Sequence, residues 1–188
     1  LTPDQLSRLY REINEGFRAS NLKEFSLEAG RPDTITDENM KLAMEAGVTR
    51  ISINPQTMQE ETLHRIGRNH NRSQVMEAFQ KAGKAGIKTI NTDIIAGLPG
   101  ETATTFQNTL KQILALEPQN ITVHSLAMKR ASRLTGENKN YHFQQAEVVA
   151  RMLDFSENCL NRHGYAPYYL YRQKQMAGSL ENVGYCLP

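Results

Sequence analysis

Acidic, amide, basic and hydroxyl side chains stand within or at the ends of several short apolar segments of this sequence. The set comprises Glu28, Asn54, Gln56, Arg68, Asp93, His124 and Ser125. Carboxylates accept hydrogen bonds from ammonium groups and ribose hydroxyls, whereas a guanidinium pairs with a carboxylate. If these side chains share one surface, they suit a small zwitterionic ligand that also carries a ribose.

Most of these residues also have an ordinary structural explanation. Taken singly, Glu28 is equally typical of a solvated strand end, Gln56 after a proline is typical of a turn, and Arg68 in a polar loop is typical of a surface charge. His124 within an apolar strand is more typical of a core histidine with satisfied hydrogen bonds. The pattern as a whole therefore carries more weight than any one of these four positions.

Asp93 is harder to explain structurally, because it interrupts the apolar run 90–95. Such a run is expected to be buried on both faces of a parallel sheet, where an unpaired carboxylate is costly.

Familiar catalytic patterns do not occur: the chain has no G-x-S-x-G, H-E-x-x-H or C-x-x-C. The turn G-L-P-G at 97–100 lacks the lysine of a phosphate-binding P-loop.

Segments rich in β-branched residues alternate with longer segments of helical period, which is typical of βαβ units. The pattern predicts strands over 24–28, 50–54, 89–95 and 120–126, a first helix starting at Pro3, a helix capped by Ser73 and a long helix over 144–163. We expect an α/β fold, a partial TIM-like (β/α) barrel with parallel strands and outer helices; a smaller doubly wound sheet is the alternative. The last 25 residues, rich in tyrosine, receive no assignment.

Length and composition narrow the class of protein further. At 188 residues and net charge +2, the chain suits one domain and has no electrostatic attraction for nucleic acid. Its apolar runs are far shorter than the roughly 20 residues of a membrane span. Because the sequence does not begin with methionine and its first residues show no basic-then-apolar signal-peptide pattern, we expect a cytoplasmic protein or a piece of a longer chain. Two cysteines exclude a disulfide framework.

Several motifs together resemble a known family. They are E-x-G-R-P at 28–32, S-I-N-P-Q at 52–56, Arg68 twelve residues after Gln56, D-I-I-A-G-L-P-G-E-T at 93–102 and the tail Y-L-Y-R-Q-K-Q-M-A-G-S-L-E-N-V-G-Y at 169–185. The chain resembles the radical S-adenosylmethionine enzymes along nearly its whole length. Within them it is most similar to the second-type branch of the oxygen-independent coproporphyrinogen III oxidases.

The resemblance implies a cofactor site at the carboxyl ends of the strands. By position, Glu28, Gln56, Arg68, Asp93 and Ala127 match the family's contacts to S-adenosylmethionine. It further implies that Asp93 bonds to the ribose hydroxyls, that Gln56 and Arg68 meet the amino-acid moiety, and that the Ala127 backbone contacts adenine.

The resemblance also implies a reaction. In the family, a [4Fe-4S] cluster fed by an electron donor cleaves S-adenosylmethionine, and the 5′-deoxyadenosyl radical abstracts hydrogen from propionate side chains of coproporphyrinogen III. Loss of carbon dioxide then gives the vinyl groups of protoporphyrinogen IX, a step of haem biosynthesis. The alternative is a haem-binding chaperone that keeps the radical fold without oxidase activity, and a third possibility is an ordinary α/β domain with incidental polar residues.

One family motif is missing from these 188 residues. The cluster motif C-x-x-x-C-x-x-C does not occur, and Cys159 and Cys186 are poor substitutes for three thiolate ligands. We therefore expect the central part of a longer enzyme, inactive alone, with a partial barrel over 1–164 and the start of a substrate-binding region over 165–188. Because a partial barrel leaves strand edges open, self-association or an unusual strand cover is also expected.

Overall fold

The computed structural model describes residues 1–17, 22–127, 141–171 and 181–188, and only the backbone of residues 141–145. The described helices are α1 (Pro3–Phe17), α2 (Asp37–Glu45), α3 (Glu60–Arg65), α4 (Arg72–Ala85), α5 (Ala103–Leu114) and α6 (Tyr141–Arg162), with a 3-10 turn over Pro32–Thr34. The described strands are β1 (Ser26–Gly30), β2 (Arg50–Ile53), β3 (Thr89–Ala96), β4 (Asn120–Ser125), β5 (Ala166–Tyr171) and β6 (Asn182–Cys186). The expected α/β class is confirmed, and the predicted strands are present within a few residues of their expected bounds.

One compact unit consists of residues 1–55 and 70–92. Here β1 pairs with β2, and β2 pairs with the first residues of β3, all in parallel; Ser26 lies opposite Arg50, which lies opposite Thr89. Helices α2 and α4 pack on each other, and α4 also packs on β2. The apolar side chains buried between these elements include Met40, Ala43, Val48, Ile51, Ile53, Val75, Ala78, Phe79 and Ala82.

The second compact unit consists of residues 56–69 and 93–188. It contains the last residues of β3, followed in the sheet by β4, β6 and β5 in that order. At the end of β3, the Ala96 carbonyl accepts a hydrogen bond from the Leu126 N–H at 2.9 Å. Both added pairs are antiparallel, with Asn120 and Ala166 each opposite Cys186. The last 25 residues, which receive no assignment from sequence, thus add two antiparallel strands: β6 lies along β4 in the opposite direction, and β5 lies outside β6.

Helices α5 and α6 pack on each other in this second unit. Their facing side chains are apolar at three- and four-residue spacing, the pattern of an amphipathic helix. Those that are almost fully buried are Phe106, Leu110, Ile113, Val149, Met152 and Leu160. Burial of these side chains supplies the hydrophobic stabilisation of the unit.

The chain crosses between the two units after residues 55, 69 and 92. Strand β3 consequently contributes its first residues to one unit and its last residues, from Asp93 onward, to the other. Each unit is built from two separate stretches of sequence.

The cap of α4 differs from the prediction. Asn71, and not Ser73, caps the helix: its side chain accepts from the Gln74 N–H at 2.9 Å, and the Gln74 side chain accepts from the Asn71 N–H at 2.9 Å. This reciprocal pair is a capping box, which satisfies two N–H groups at the start of a helix. The Ser73 hydroxyl instead donates to Glu77 at 3.3 Å.

A glycine is required where β3 ends. Gly97 has φ 88°, and a Cβ there would lie 2.6 Å from Cγ2 of Val149 on α6. Only glycine combines this left-handed backbone with so close an approach. The turn that follows is held by Arg65, whose Nη1 donates to the Pro99 carbonyl at 3.1 Å.

None of the helices in the described part of the chain has the length and apolar character needed to cross a membrane.

Candidate functional site

Gln56 lies in a strained conformation beside the end of β3. Its φ is 71°, in the left-handed region that residues other than glycine rarely occupy. Its N–H donates to the Asp93 carbonyl at 3.1 Å, and its own carbonyl accepts from the Ile95 N–H at 2.9 Å. The two hydrogen bonds hold the strained residue next to Asp93, and such strain is concentrated at functional sites.

Asp93 meets His124 across the neighbouring strands β3 and β4. His124 Nε2 lies 3.6 Å from Asp93 Oδ2, and each side chain is about a fifth exposed, at 23% and 22%. The structure thus places a carboxylate and an imidazole together in the second half of β3 and β4, toward the carboxyl ends at which ligands bind in open α/β folds. Sequence reasoning named both residues but did not pair them.

Tyrosines of β5 continue this group. The Tyr171 hydroxyl lies 3.4 Å from His124 Nδ1, and the two rings meet edge to face at 6.3 Å. The Tyr169 and Tyr171 rings are parallel, with a centroid separation of 5.9 Å and an angle of 4° between their planes. Burial raises the pKa of Tyr169, while a hydrogen bond with Thr122 lowers it. These tyrosines received no role from the sequence.

Glu28 belongs to the first compact unit, where it pairs with Asn54. The Asn54 side-chain amide donates to Glu28 Oε1 at 2.8 Å, and Asn54 is only 7% exposed, whereas Glu28 is exposed. Glu28 lies within β1 rather than at its last residue, because the strand runs to Gly30, where φ is 62°. Its carboxylate is thus oriented by a buried amide, which a solvated strand-end residue would not require.

Arg68 follows α3 and Ala127 follows β4; both belong to the second unit, as do Gln56 and Asp93. The Arg68 N–H donates to the Leu63 carbonyl at 2.9 Å and so closes the end of α3, while its side chain is half-buried. Ala127 directly follows Leu126, whose N–H donates to the Ala96 carbonyl, and is half-buried. Four of the five predicted cofactor contacts therefore belong to one unit.

Glu101 is a functional candidate that sequence reasoning missed. It is 7% exposed, and the Thr57 hydroxyl donates to its Oε1 at 2.6 Å. Burial raises its pKa, and hydrogen bonds from Thr57 and Thr62 partly offset that increase. Because Thr57 is also 3.2 Å from the Thr109 hydroxyl, this network anchors the backbone next to Gln56. The available signal was a charged residue directly after the G-L-P-G turn.

These donors fit S-adenosylmethionine but do not fit an iron–sulfur cluster. An amide, a guanidinium and carboxylates match its zwitterion and ribose. Within the described residues no three histidine, cysteine or acidic side chains are grouped as metal ligands. Cys159 Sγ on α6 lies 4.0 Å from Nδ1 of His163, just after that helix, and burial raises the pKa of the thiol. The chain has only one other cysteine, Cys186. The three cluster thiolates cannot come from this chain.

Comparison with known proteins gives curated relatives of two kinds. The chain is 42% identical over 189 residues to the oxygen-independent coproporphyrinogen-III oxidase-like protein HemZ of Bacillus subtilis, covering 100% of this chain and 38% of that protein. It is 30% identical over 171 residues to the heme chaperone HemW of the same organism, covering 89% of this chain and 45% of the chaperone. It is also 34% identical over 127 residues to the oxygen-independent coproporphyrinogen III oxidase of Helicobacter pylori, covering 67% of this chain and 28% of that enzyme. The chain thus spans less than half the length of these relatives.

Solved structures support the fold. Coproporphyrinogen III oxidase (HemN) from Escherichia coli, described as a radical SAM enzyme, superposes with a TM-score of 0.79 at 22% identity, covering 100% of this chain and 41% of that chain. The archaeal Elp3 of Methanocaldococcus infernus superposes with a TM-score of 0.62 at 17% identity, over 71% of this chain and 32% of its own. The expected TIM-like fold of the radical SAM type is confirmed.

The sequence profile of the Radical SAM superfamily matches residues 2–113, more than half of the chain. The predicted family and its two cofactors, S-adenosylmethionine and a [4Fe-4S] cluster, are confirmed at the level of that superfamily. By this match, and with a fold that agrees, the chain belongs to the radical SAM superfamily.

Proposed function

We propose that this chain is the central part of an oxygen-independent coproporphyrinogen III oxidase and supplies most of its S-adenosylmethionine pocket. The observation that carries the proposal is the clamp between Gln56 and Asp93: two backbone hydrogen bonds hold a strained glutamine against the carboxylate-bearing end of β3. The relatives from Bacillus subtilis and Helicobacter pylori support the choice of reaction.

In this proposal each side chain has a binding task. Asp93 accepts hydrogen bonds from the ribose hydroxyls, Gln56 and Arg68 hold the amino-acid moiety, and the Ala127 backbone contacts adenine. For Glu28, which belongs to the first compact unit, the motif position alone supports a role in cofactor binding. When bound together with a cluster whose ligands come from outside this chain, the cofactor supplies the hydrogen-abstracting chemistry that turns propionates into vinyl groups. We place the first part of the porphyrinogen-binding region at 165–188.

The reaction is tested by anaerobic turnover of the full-length natural protein with its cluster reconstituted and a one-electron reductant supplied. We expect 5′-deoxyadenosine and a vinyl-bearing product from coproporphyrinogen III. If the cluster is active but no vinyl product forms, the oxidase assignment is overturned.

The pocket is tested separately by replacing Asp93 with Asn. Loss of a hydrogen bond to a charged acceptor is expected to weaken the affinity for S-adenosylhomocysteine about tenfold or more, measured by titration calorimetry. Asp154→Asn, on an exposed position of α6, is the matched control and leaves the affinity unchanged. Equal affinities of the two variants would show that Asp93 is incidental.

A haem chaperone is the second candidate function, because the HemW relative covers 89% of this chain. Haem titration of the same full-length protein, followed by absorbance, distinguishes the two. Stoichiometric haem binding without any decarboxylated product would favour the chaperone.

A further inference from the structure

Side chains from three strands form a continuous polar chain in the second compact unit. Asp93 comes from β3, His124 from β4 and Tyr171 from β5. His124 Nε2 faces Asp93 Oδ2 at 3.6 Å, and His124 Nδ1 faces the Tyr171 hydroxyl at 3.4 Å. The imidazole therefore lies between the carboxylate and the phenol, with one ring nitrogen toward each.

The partners of His124 decide where its proton resides. A carboxylate accepts hydrogen bonds but does not donate them. An Nε2 atom without a proton would therefore face another acceptor 3.6 Å away. Placing the proton on Nε2 removes this repulsion and leaves Nδ1 to accept from the Tyr171 hydroxyl. The hydrogen on the imidazole is thus assigned from the hydrogen-bonding partners of its two nitrogens. The Tyr171 hydroxyl then donates to His124 Nδ1, and the Nε2–H group of His124 points toward the Asp93 carboxylate.

Packing keeps the phenol end of this chain in place. The Tyr171 ring lies parallel to the Tyr169 ring, and Tyr169 in turn covers Gly184 of β6. A Cβ at Gly184 would collide with Tyr169, so the glycine leaves the space that this ring needs. Tyr169, whose pKa is raised mainly by burial, also experiences the negative charge of Asp93. Three strands thus fix the imidazole relative to the carboxylate.

We propose that His124, supported by Tyr171, is a positioning residue that orients the Asp93 carboxylate toward the 2′,3′-diol of a ribonucleoside ligand. The inference rests on the proposed function, because it takes Asp93 as the ribose contact. His124 itself touches the carboxylate and not the ligand. A carboxylate held in one orientation forms a stronger hydrogen bond with the hydroxyl that it faces. His124 should therefore determine how strongly the site prefers ribose over deoxyribose.

The test compares two ligands, S-adenosylhomocysteine and its 2′-deoxy form, with the full-length natural protein and measures both affinities by calorimetry. The wild type should prefer the ribose form by about tenfold, the contribution of one charge-assisted hydrogen bond. His124→Phe should bring this ratio close to one. His124→Gln should restore most of it, because a glutamine amide places a donor near the position of Nε2. Tyr171→Phe should give an intermediate ratio.

A merely structural role of His124 would weaken both ligands equally and leave the ratio unchanged, which would overturn the inference. His163→Phe, at an exposed histidine just after α6, is the matched control and should keep the wild-type ratio. If His124→Phe does not fold, failure of His124→Gln to exceed the ratio of Asp93→Asn would also overturn the inference. If the wild type binds neither ligand, the proposed function fails, and the inference fails with it.

The proton position is tested separately by ¹⁵N–¹H spectra of protein labelled at histidine. We expect the Nε2–H tautomer for His124 in the wild type and a loss of that preference in Tyr171→Phe. A wild-type Nδ1–H tautomer would overturn the inference even if S-adenosylhomocysteine binds.

Discussion

Glu101 shows how a buried charge can support a neighbouring site without belonging to it. Its carboxylate is 7% exposed and accepts from Thr57, the residue after the strained Gln56. Thr57 and Met58 are tied to α5 through the Thr109 hydroxyl, at 3.2 Å in both cases. The network therefore holds the backbone next to Gln56 in place. Its removal should weaken ligand binding at the proposed pocket.

Glu101 should make the free energy of unfolding depend on pH. Burial raises its pKa in the folded protein above the ordinary value of 4.5, so the folded state holds the proton more strongly than the unfolded state. Stability contributed by this group is complete at low pH and is lost as the pH rises through the folded-state pKa. We expect Glu101→Gln to gain stability relative to wild type between about pH 4.5 and neutral, measured by urea unfolding.

The control for this experiment is Glu12→Gln, an exposed glutamate of α1. Its stability difference from wild type should stay flat over the same pH range. A flat difference for Glu101→Gln as well would contradict the assignment of a raised pKa to this carboxyl.

Single residues also show what sequence reasoning can and cannot reach. Asp93 stands out because a carboxylate inside an apolar strand has an energetic cost that can be recognised without a structure. Its pairing with His124 could not be predicted, since contact between neighbouring strands depends on their register. The strain at Gln56 was equally hidden, because glutamine has no preference for the left-handed region.

At the scale of elements, the capping box of α4 is the clearest local device. Asn71→Ala removes the acceptor for the Gln74 N–H and should destabilise the protein by about 1 kcal/mol, measured by urea unfolding. Ser73→Ala is the natural control, because that hydroxyl bonds only an exposed glutamate, and it should cost less than about 0.5 kcal/mol. Equal effects of the two variants would favour the serine cap expected from sequence.

The strands show why prediction succeeds for one part of the sheet and fails for another. β2 and β3 are rich in β-branched residues and are mostly buried, which is typical of parallel strands in an α/β fold. β5 has the sequence A-P-Y-Y-L-Y and is exposed at five successive positions, so it lacks the alternation of a half-buried strand. Its place beside β6 depends on long-range pairing, which local patterns do not encode. The tail segment 172–180, part of the motif quoted from sequence, lies outside the described residues.

At the scale of the whole molecule, β5 is where self-association is expected. The strand pairs with β6 on one side, and no other strand among the described residues pairs with it. Leu170 on this strand is 61% exposed. Strand edges with exposed apolar side chains are templates for pairing with another chain.

Light scattering of the isolated 188-residue chain tests this expectation. We expect a mass above the 21.3 kDa of a monomer, and Leu170→Lys should lower it because a charged side chain opposes edge pairing. Leu9→Lys, which alters an exposed leucine of α1, should leave the mass unchanged. A monomer at every concentration would contradict the expectation.

Because each compact unit is built from two separate stretches of sequence, the position of a junction matters when parts of two related genes are joined. Gln56 and Arg68 reside on the short stretch 56–69, whereas Asp93 begins the second stretch of the same unit. A chimera with a single junction between residues 69 and 93 would take these residues from different parents. Engineered hybrids that keep the proposed pocket should therefore take 56–69 and 93–188 from one parent, with no junction between the two stretches.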